Sequence, residues 1–143
     1  MTRIIRKFSK KCENYFNAVI LVALTSFYPL QDNQDQWLNS LETEYLSHIF
    51  SVSKLVPART RFDYQGIIPF DGTYNFLDKG EQTFGSLSNC KPVENLTIVC
   101  IWSDKYGSGY LFAHFSEDLN SFEGYWGSKN ERPDAPWNGI RSN

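Results

Sequence analysis

The stretch Leu96 to Arg141 constrains this chain most, because apolar and aromatic residues alternate there over strand-length runs broken by turn residues. Leu96, Ile98, Cys100 and Trp102 point one way, and Thr97, Val99, Ile101 and Ser103 the other. A strand with apolar groups on both faces is normally covered on both, whereas a half-exposed strand alternates apolar with polar. Gly109 to Ser116 repeats the pattern, with Tyr110, Phe112 and His114 on one side and Leu111, Ala113 and Phe115 on the other. Asp104 to Ser108 joins the two, and its glycine suits the positive φ that a bulged hairpin loop needs. Glu117 to Asn120 reads as a second turn, with Asn120 placed for the left-handed region.

Two further strands follow. Ser121 to Ser128 carries Phe122, Gly124 and Trp126 on one face, and Trp137 to Arg141 carries Trp137, Gly139 and Arg141. An aromatic two residues from a strand glycine is a device for curvature: the glycine leaves room for a neighbouring ring, or lets the sheet bend. Upstream, Arg61 to Ile68 echoes it with Phe62, Tyr64 and Gly66. Thr73 to Leu77 and Glu81 to Leu87 flank Asp78-Lys79-Gly80, a hairpin loop. About seven strands with short loops predict a strongly curved antiparallel meander or a small barrel.

The first 56 residues read differently. Arg3, Arg6, Lys7, Lys10 and Lys11 precede Asn14 to Leu30, the most apolar window of the chain. That window spans about 17 residues, the lower limit for crossing a bilayer. A helix buried against the sheet is the favoured reading. A membrane anchor competes, with basic residues on one side and Asp32 and Asp35 on the other. A signal peptide stands third, since no small-residue cleavage site follows. Leu38, Leu41, Tyr45, Ile49 and Val52 recur at helical spacing, which predicts a second, amphipathic helix over Asp32 to Leu55, leaving at Pro57. The expected fold class is therefore α+β: a helical segment over 1–56, with the window 14–30 as anchor or packed helix, then an antiparallel β domain over 57–143.

Chemistry is sparse. A formal net charge of −2 gives no global reason to expect nucleic acid as a partner. Two histidines far apart and three cysteines without ligand spacing predict no metal site, and no cofactor motif is present. Cys90 and Cys100 are near enough to pair across strands, but cysteines in a buried sheet more often stay reduced, and that is the expectation. Asn95-Leu96-Thr97 matches a glycosylation sequon by pattern.

His114, mid-strand among aromatics, is the best acid–base candidate, although a satisfied core or lumen histidine is the commoner outcome. If Tyr110, Phe112 and His114 share a face with Phe122 and Trp126, they form an aromatic pocket with a polar handle. Trp137 and Arg141 extend it, and Arg141, Lys129 and Arg132 at its rim suit an anionic or amphipathic small ligand.

Phe122-Glu-Gly-Tyr-Trp126-Gly followed by Trp137-Asn-Gly-Ile-Arg141 resembles the closing strands of small bacterial lipocalin-like β domains. The order of an apolar helical segment and then a compact barrel is similar to the minimal β-barrel effectors of bacterial anti-phage signalling. Those have paired transmembrane helices and a barrel that senses a cyclic nucleotide. The second segment here is charged and non-spanning, and no ligand residue carries over.

The expectation is a non-catalytic binding module. It takes a small ligand in the sheet's concavity, or a protein partner or second copy through residues 14–55. A membrane-associated sensor anchored by 14–30 and a small enzyme using His114 are the alternatives. The chain is expected in the cytoplasm, or on a membrane through its N-terminal segment.

Overall fold

Tyr45, Ser47 and Ile49 alternate in sequence with Leu46, His48 and Phe50, and this period of two is what the chain follows. The computed structural model describes residues 36–143. Within them run eight strands: β1 Thr43–Ser51, β2 Lys54–Asp63, β3 Phe70–Asp78, β4 Glu81–Glu94, β5 Thr97–Asp104, β6 Gly107–Phe115, β7 Ser121–Ser128 and β8 Ala135–Arg141. Each pairs antiparallel with the next, and β1 pairs with β8, so the sheet closes into an up-and-down barrel with no free edge.

The α+β expectation is thereby corrected: the described residues form a barrel that is nearly all β. The amphipathic helix expected over Asp32 to Leu55 does not form. Gln36–Ser40 make a single 3-10 turn, and Thr43–Ser51 is a strand with Tyr45, Ser47 and Ile49 buried inward. The helical stripe was a coincidence of spacing. A polar Ser47 on the inward face hid the alternation, and its hydroxyl meets that of Thr60 at 2.8 Å inside the barrel. Pro57 is not a helix exit but an outward-facing position in β2, opposite His48. The window 14–30 lies outside the described residues. Among the described residues, no helix is long and apolar enough to cross a membrane.

Several local expectations hold. The β3–β4 hairpin turns at Lys79 and Gly80, with φ of 50° and 86°, the pair of positive values that a two-residue primed turn requires. Ser121–Ser128 is β7 with Phe122 and Gly124 buried. In the β6–β7 turn, however, the left-handed residue is Leu119 rather than Asn120.

Cys90 and Cys100 are joined in a disulfide, correcting the expectation of free thiols. A β-bulge brings them together. Ser88 faces Ile101 and Lys91 faces Val99, so Asn89 and Cys90 both stand opposite Cys100. The extra residue shifts the parity of β4 by one and turns Cys90 inward after Leu87, a slip that simple alternation does not anticipate.

The interior is packed unevenly along the barrel axis. At the end where the chain enters β1, the rings of Tyr45, Phe62, Phe115 and Phe122 lie with centroids 5.2–5.9 Å apart, most of them edge to face. Leu38 and Leu41 are fully buried beside them, Trp37 packs on Phe115, and the Tyr45 hydroxyl donates to the Leu119 carbonyl at 2.8 Å. Burying each such aromatic contributes roughly 1.5–3 kcal/mol. This end is a solid plug. The other end, where the β1–β2, β3–β4 and β5–β6 turns lie, is not.

Candidate functional site

An eight-stranded barrel is just wide enough for its side chains to fill it or to hold one small ligand. Here side chains fill one end, and a cavity remains at the other. At the open end is a cavity of about 320 Å³, lined by Ile49, Tyr74, Phe76, Trp102, Trp126 and Trp137, with Asp78, Lys79, Asp104 and Tyr106 among its rim residues. Three of the four tryptophans are therefore gathered in one place.

The walls follow from strand parity. Trp102 points in from β5, and Trp126 from β7 stands against it, centroids 5.2 Å apart at 87°. Trp137 points in from β8 and meets Tyr74 from β3 at 4.7 Å and 73°. Tyr74 in turn stacks parallel to Phe76, with 6.3 Å between centroids. Two near-perpendicular ring pairs make corners rather than a flat platform.

Each of the three cavity tryptophans is fixed by a hydrogen bond to the protein. The indole N–H of Trp102 donates to the Gly127 carbonyl at 3.0 Å, that of Trp126 to the Phe50 carbonyl at 3.1 Å, and that of Trp137 to the Thr60 hydroxyl at 3.0 Å. Buried indoles normally find such partners, and rigid walls are the result.

The rim is acidic. The Tyr74 hydroxyl donates to Asp104 Oδ2 at 2.8 Å, and the Tyr106 backbone N–H donates to Asp104 Oδ1 at 2.8 Å. The Tyr106 hydroxyl donates to Asp78. The Tyr74 phenol is held well above its ordinary pKa, first by burial and then by its bond to the Asp104 carboxylate. It stays protonated and keeps donating across the physiological range.

A glycine makes room for this wall. A Cβ built on Gly85 lies 2.1 Å from the Tyr74 ring, so only glycine lets that ring lie across β4. Gly139 does the same at the plugged end, where a Cβ comes within 2.4 Å of the Phe122 ring. Room for a neighbouring ring is thus the role of both.

The residues singled out from sequence are divided among three places. Trp126 and Trp137 line the cavity. Phe122 belongs to the aromatic plug. Arg141 is at that same end, its guanidinium donating to the Thr43 hydroxyl at 3.2 Å and the Ser40 carbonyl at 3.1 Å. Tyr110, Phe112 and His114 point outward from β6, on the opposite face of the sheet from Phe122 and Trp126. The shared aromatic face expected of these seven residues does not form. His114 lies opposite Glu123 on β7 and shares a 2.7 Å hydrogen bond with the Thr97 hydroxyl. Tyr74, Phe76, Trp102, Asp78, Asp104 and Tyr106 were not anticipated as a site. Their common position follows once eight strands are counted, because alternate hairpin turns of a meander gather at one end.

Among the described residues, no group of three or more His, Cys, Asp or Glu is arranged to hold a metal ion. Comparison of the chain with protein-family models, with curated proteins and with solved structures finds no match.

Proposed function

We propose that this barrel is a binding module that takes a small ligand into its open end. One observation carries the reading: the interior is solid at one end and hollow at the other, with rigid aromatic walls around the hollow. An apolar concavity with a few converging polar groups is the usual form of a small-molecule site. The lipocalin-like resemblance of the last two strands is in keeping with it, since those strands supply Trp126 and Trp137. Nothing in the reading requires bond-making chemistry. The candidate base, His114, is on the outer surface and has Thr97 as its hydrogen-bond partner.

Titration with an amphipathic fluorescent dye tests the reading, followed by the dye signal and by tryptophan emission. The expected result is saturable binding that Ile49→Trp, which fills the cavity, abolishes while the melting temperature stays close to that of the parent. Binding retained in the filled variant places the dye elsewhere and overturns the reading.

A further inference from the structure

We propose that the ligand of this pocket is a compact organic cation, a quaternary or protonated alkyl ammonium on an apolar body. The inference rests on the pocket reading and adds the charge of the occupant, which the hydrogen-bond inventory of the walls determines.

The indole and phenol donors of Trp102, Trp126, Trp137, Tyr74 and Tyr106 are all in use, and the Ser51 hydroxyl, also in the lining, can accept as well as donate. The three indole N–H groups donate to Gly127, Phe50 and Thr60, and the phenols of Tyr74 and Tyr106 donate to Asp104 and Asp78. The tryptophans are left to offer a ligand their π faces and C–H edges. An indole face is the strongest aromatic partner for a cation. Paired rings at 87° and 73° present such surfaces from more than one direction, as enclosure of a rounded ammonium head requires.

The rim selects the same sign. Asp78 and Asp104 have only acceptor sites to give, and each carboxylate oxygen has lone-pair capacity beyond the bonds it accepts. Against these two carboxylates the cavity lining holds one cation, Lys79, at the hairpin tip. Lys105, nearby in the β5–β6 turn, pairs with Glu81 at 3.8 Å and lies 5.1 Å from the Tyr106 ring centroid. An anion entering here meets two carboxylates and the negative faces of the rings. A cation meets two carboxylates and the faces of the tryptophans, with Lys79 as the one like charge in the lining. The expectation of an anionic ligand placed Arg141 at the rim, and Arg141 is at the plugged end instead.

Hexyltrimethylammonium, hexanol and hexanoate share a tail and differ in head charge, so titrating the full chain with each separates charge from apolar burial. The expected order is the ammonium tightest, by about tenfold over hexanol, with hexanoate weakest. Asp104→Asn, which keeps an acceptor for Tyr74, is expected to weaken the ammonium several-fold and leave hexanol unchanged. Asp78→Asn provides the same readout should Asp104→Asn fold poorly. Equal or tighter binding of hexanol or hexanoate overturns the cation assignment while the pocket reading stands. Binding of none of the three, with no dye bound either, overturns both.

Discussion

The indole N–H of Trp137 donates to the hydroxyl of Thr60 at 3.0 Å, a bond that joins residues 77 apart in sequence across the barrel interior. The same hydroxyl meets that of Ser47 at 2.8 Å, and both Thr60 and Ser47 are buried. Thr60 therefore satisfies two buried polar groups at once. Thr60→Val keeps the shape and strands both partners, at an expected loss of about 2–3 kcal/mol in unfolding free energy. Thr60→Ser retains the hydroxyl and is expected to lose about 1 kcal/mol for the missing methyl. Urea unfolding of both variants decides the matter, and a Thr60→Val protein as stable as Thr60→Ser refutes it.

The clearance between Gly85 and Tyr74 makes a second prediction. Gly85→Ala drives a methyl into the Tyr74 ring, which forces the ring out of its contact with Trp137 and its bond to Asp104. The expected destabilisation is about 1–3 kcal/mol. In a Tyr74→Ala background there is no ring to strike, so the cost of Gly85→Ala should largely disappear. A double-mutant cycle reads that coupling directly. Additive effects would mean that the ring does not depend on Gly85.

How far the fold was legible in the sequence follows from the same residues. The second half was readable because its inward positions, such as Ile98, Cys100, Leu111 and Phe115, are uniformly apolar and keep the period of two. The first strand was not, because its inward face includes the polar Ser47, whose burial is compensated by the Thr60 hydroxyl on the neighbouring strand. Missing β1 had a further consequence. With seven strands the sheet has no obvious closure, and the alternate hairpin turns at Asp78 and Asp104 share an end without enclosing a cavity. The candidate site was thus half visible. Trp126 and Trp137 are where alternation puts them, whereas the carboxylates are brought to the rim by the closure of the barrel.

The pH dependence of stability should reveal the buried phenols. Burial raises Tyr45 to about 12 and lifts Tyr74 well above its usual value. A phenol whose pKa is raised on folding stabilises the native state fully below the unfolded value near 10. That contribution is lost as pH rises from there toward the folded value. Between about pH 10 and 12 each of the two phenols is expected to lower stability by about 1.4 kcal/mol per pH unit. Tyr45→Phe removes one of them, along with the bond to the Leu119 carbonyl. Its stability should begin lower at pH 8 and fall less steeply above pH 10. Parallel curves for the two proteins would show that Tyr45 titrates normally in the fold.

The Cys90–Cys100 link closes a short loop between neighbouring strands at a bulge, with both cysteines buried. A cross-link of this span is expected to add about 2–3 kcal/mol, chiefly by restricting the unfolded chain. Reduction under denaturing conditions and refolding in reductant should lower the urea midpoint of the parent. A Cys90→Ala/Cys100→Ala variant should unfold at the same denaturant concentration with and without reductant. The link also bears on where the chain works, because such bonds persist in oxidising compartments and are rare in the cytosol. Rapid thiol alkylation of cells producing the full chain, followed by peptide mapping, reads the state in place. Recovery of residues 90 and 100 as a linked pair favours an oxidising compartment over the cytoplasm, and recovery of both as alkylated thiols opposes it. An unchanged urea midpoint in reductant would show that the bond does not contribute to the stability of the barrel.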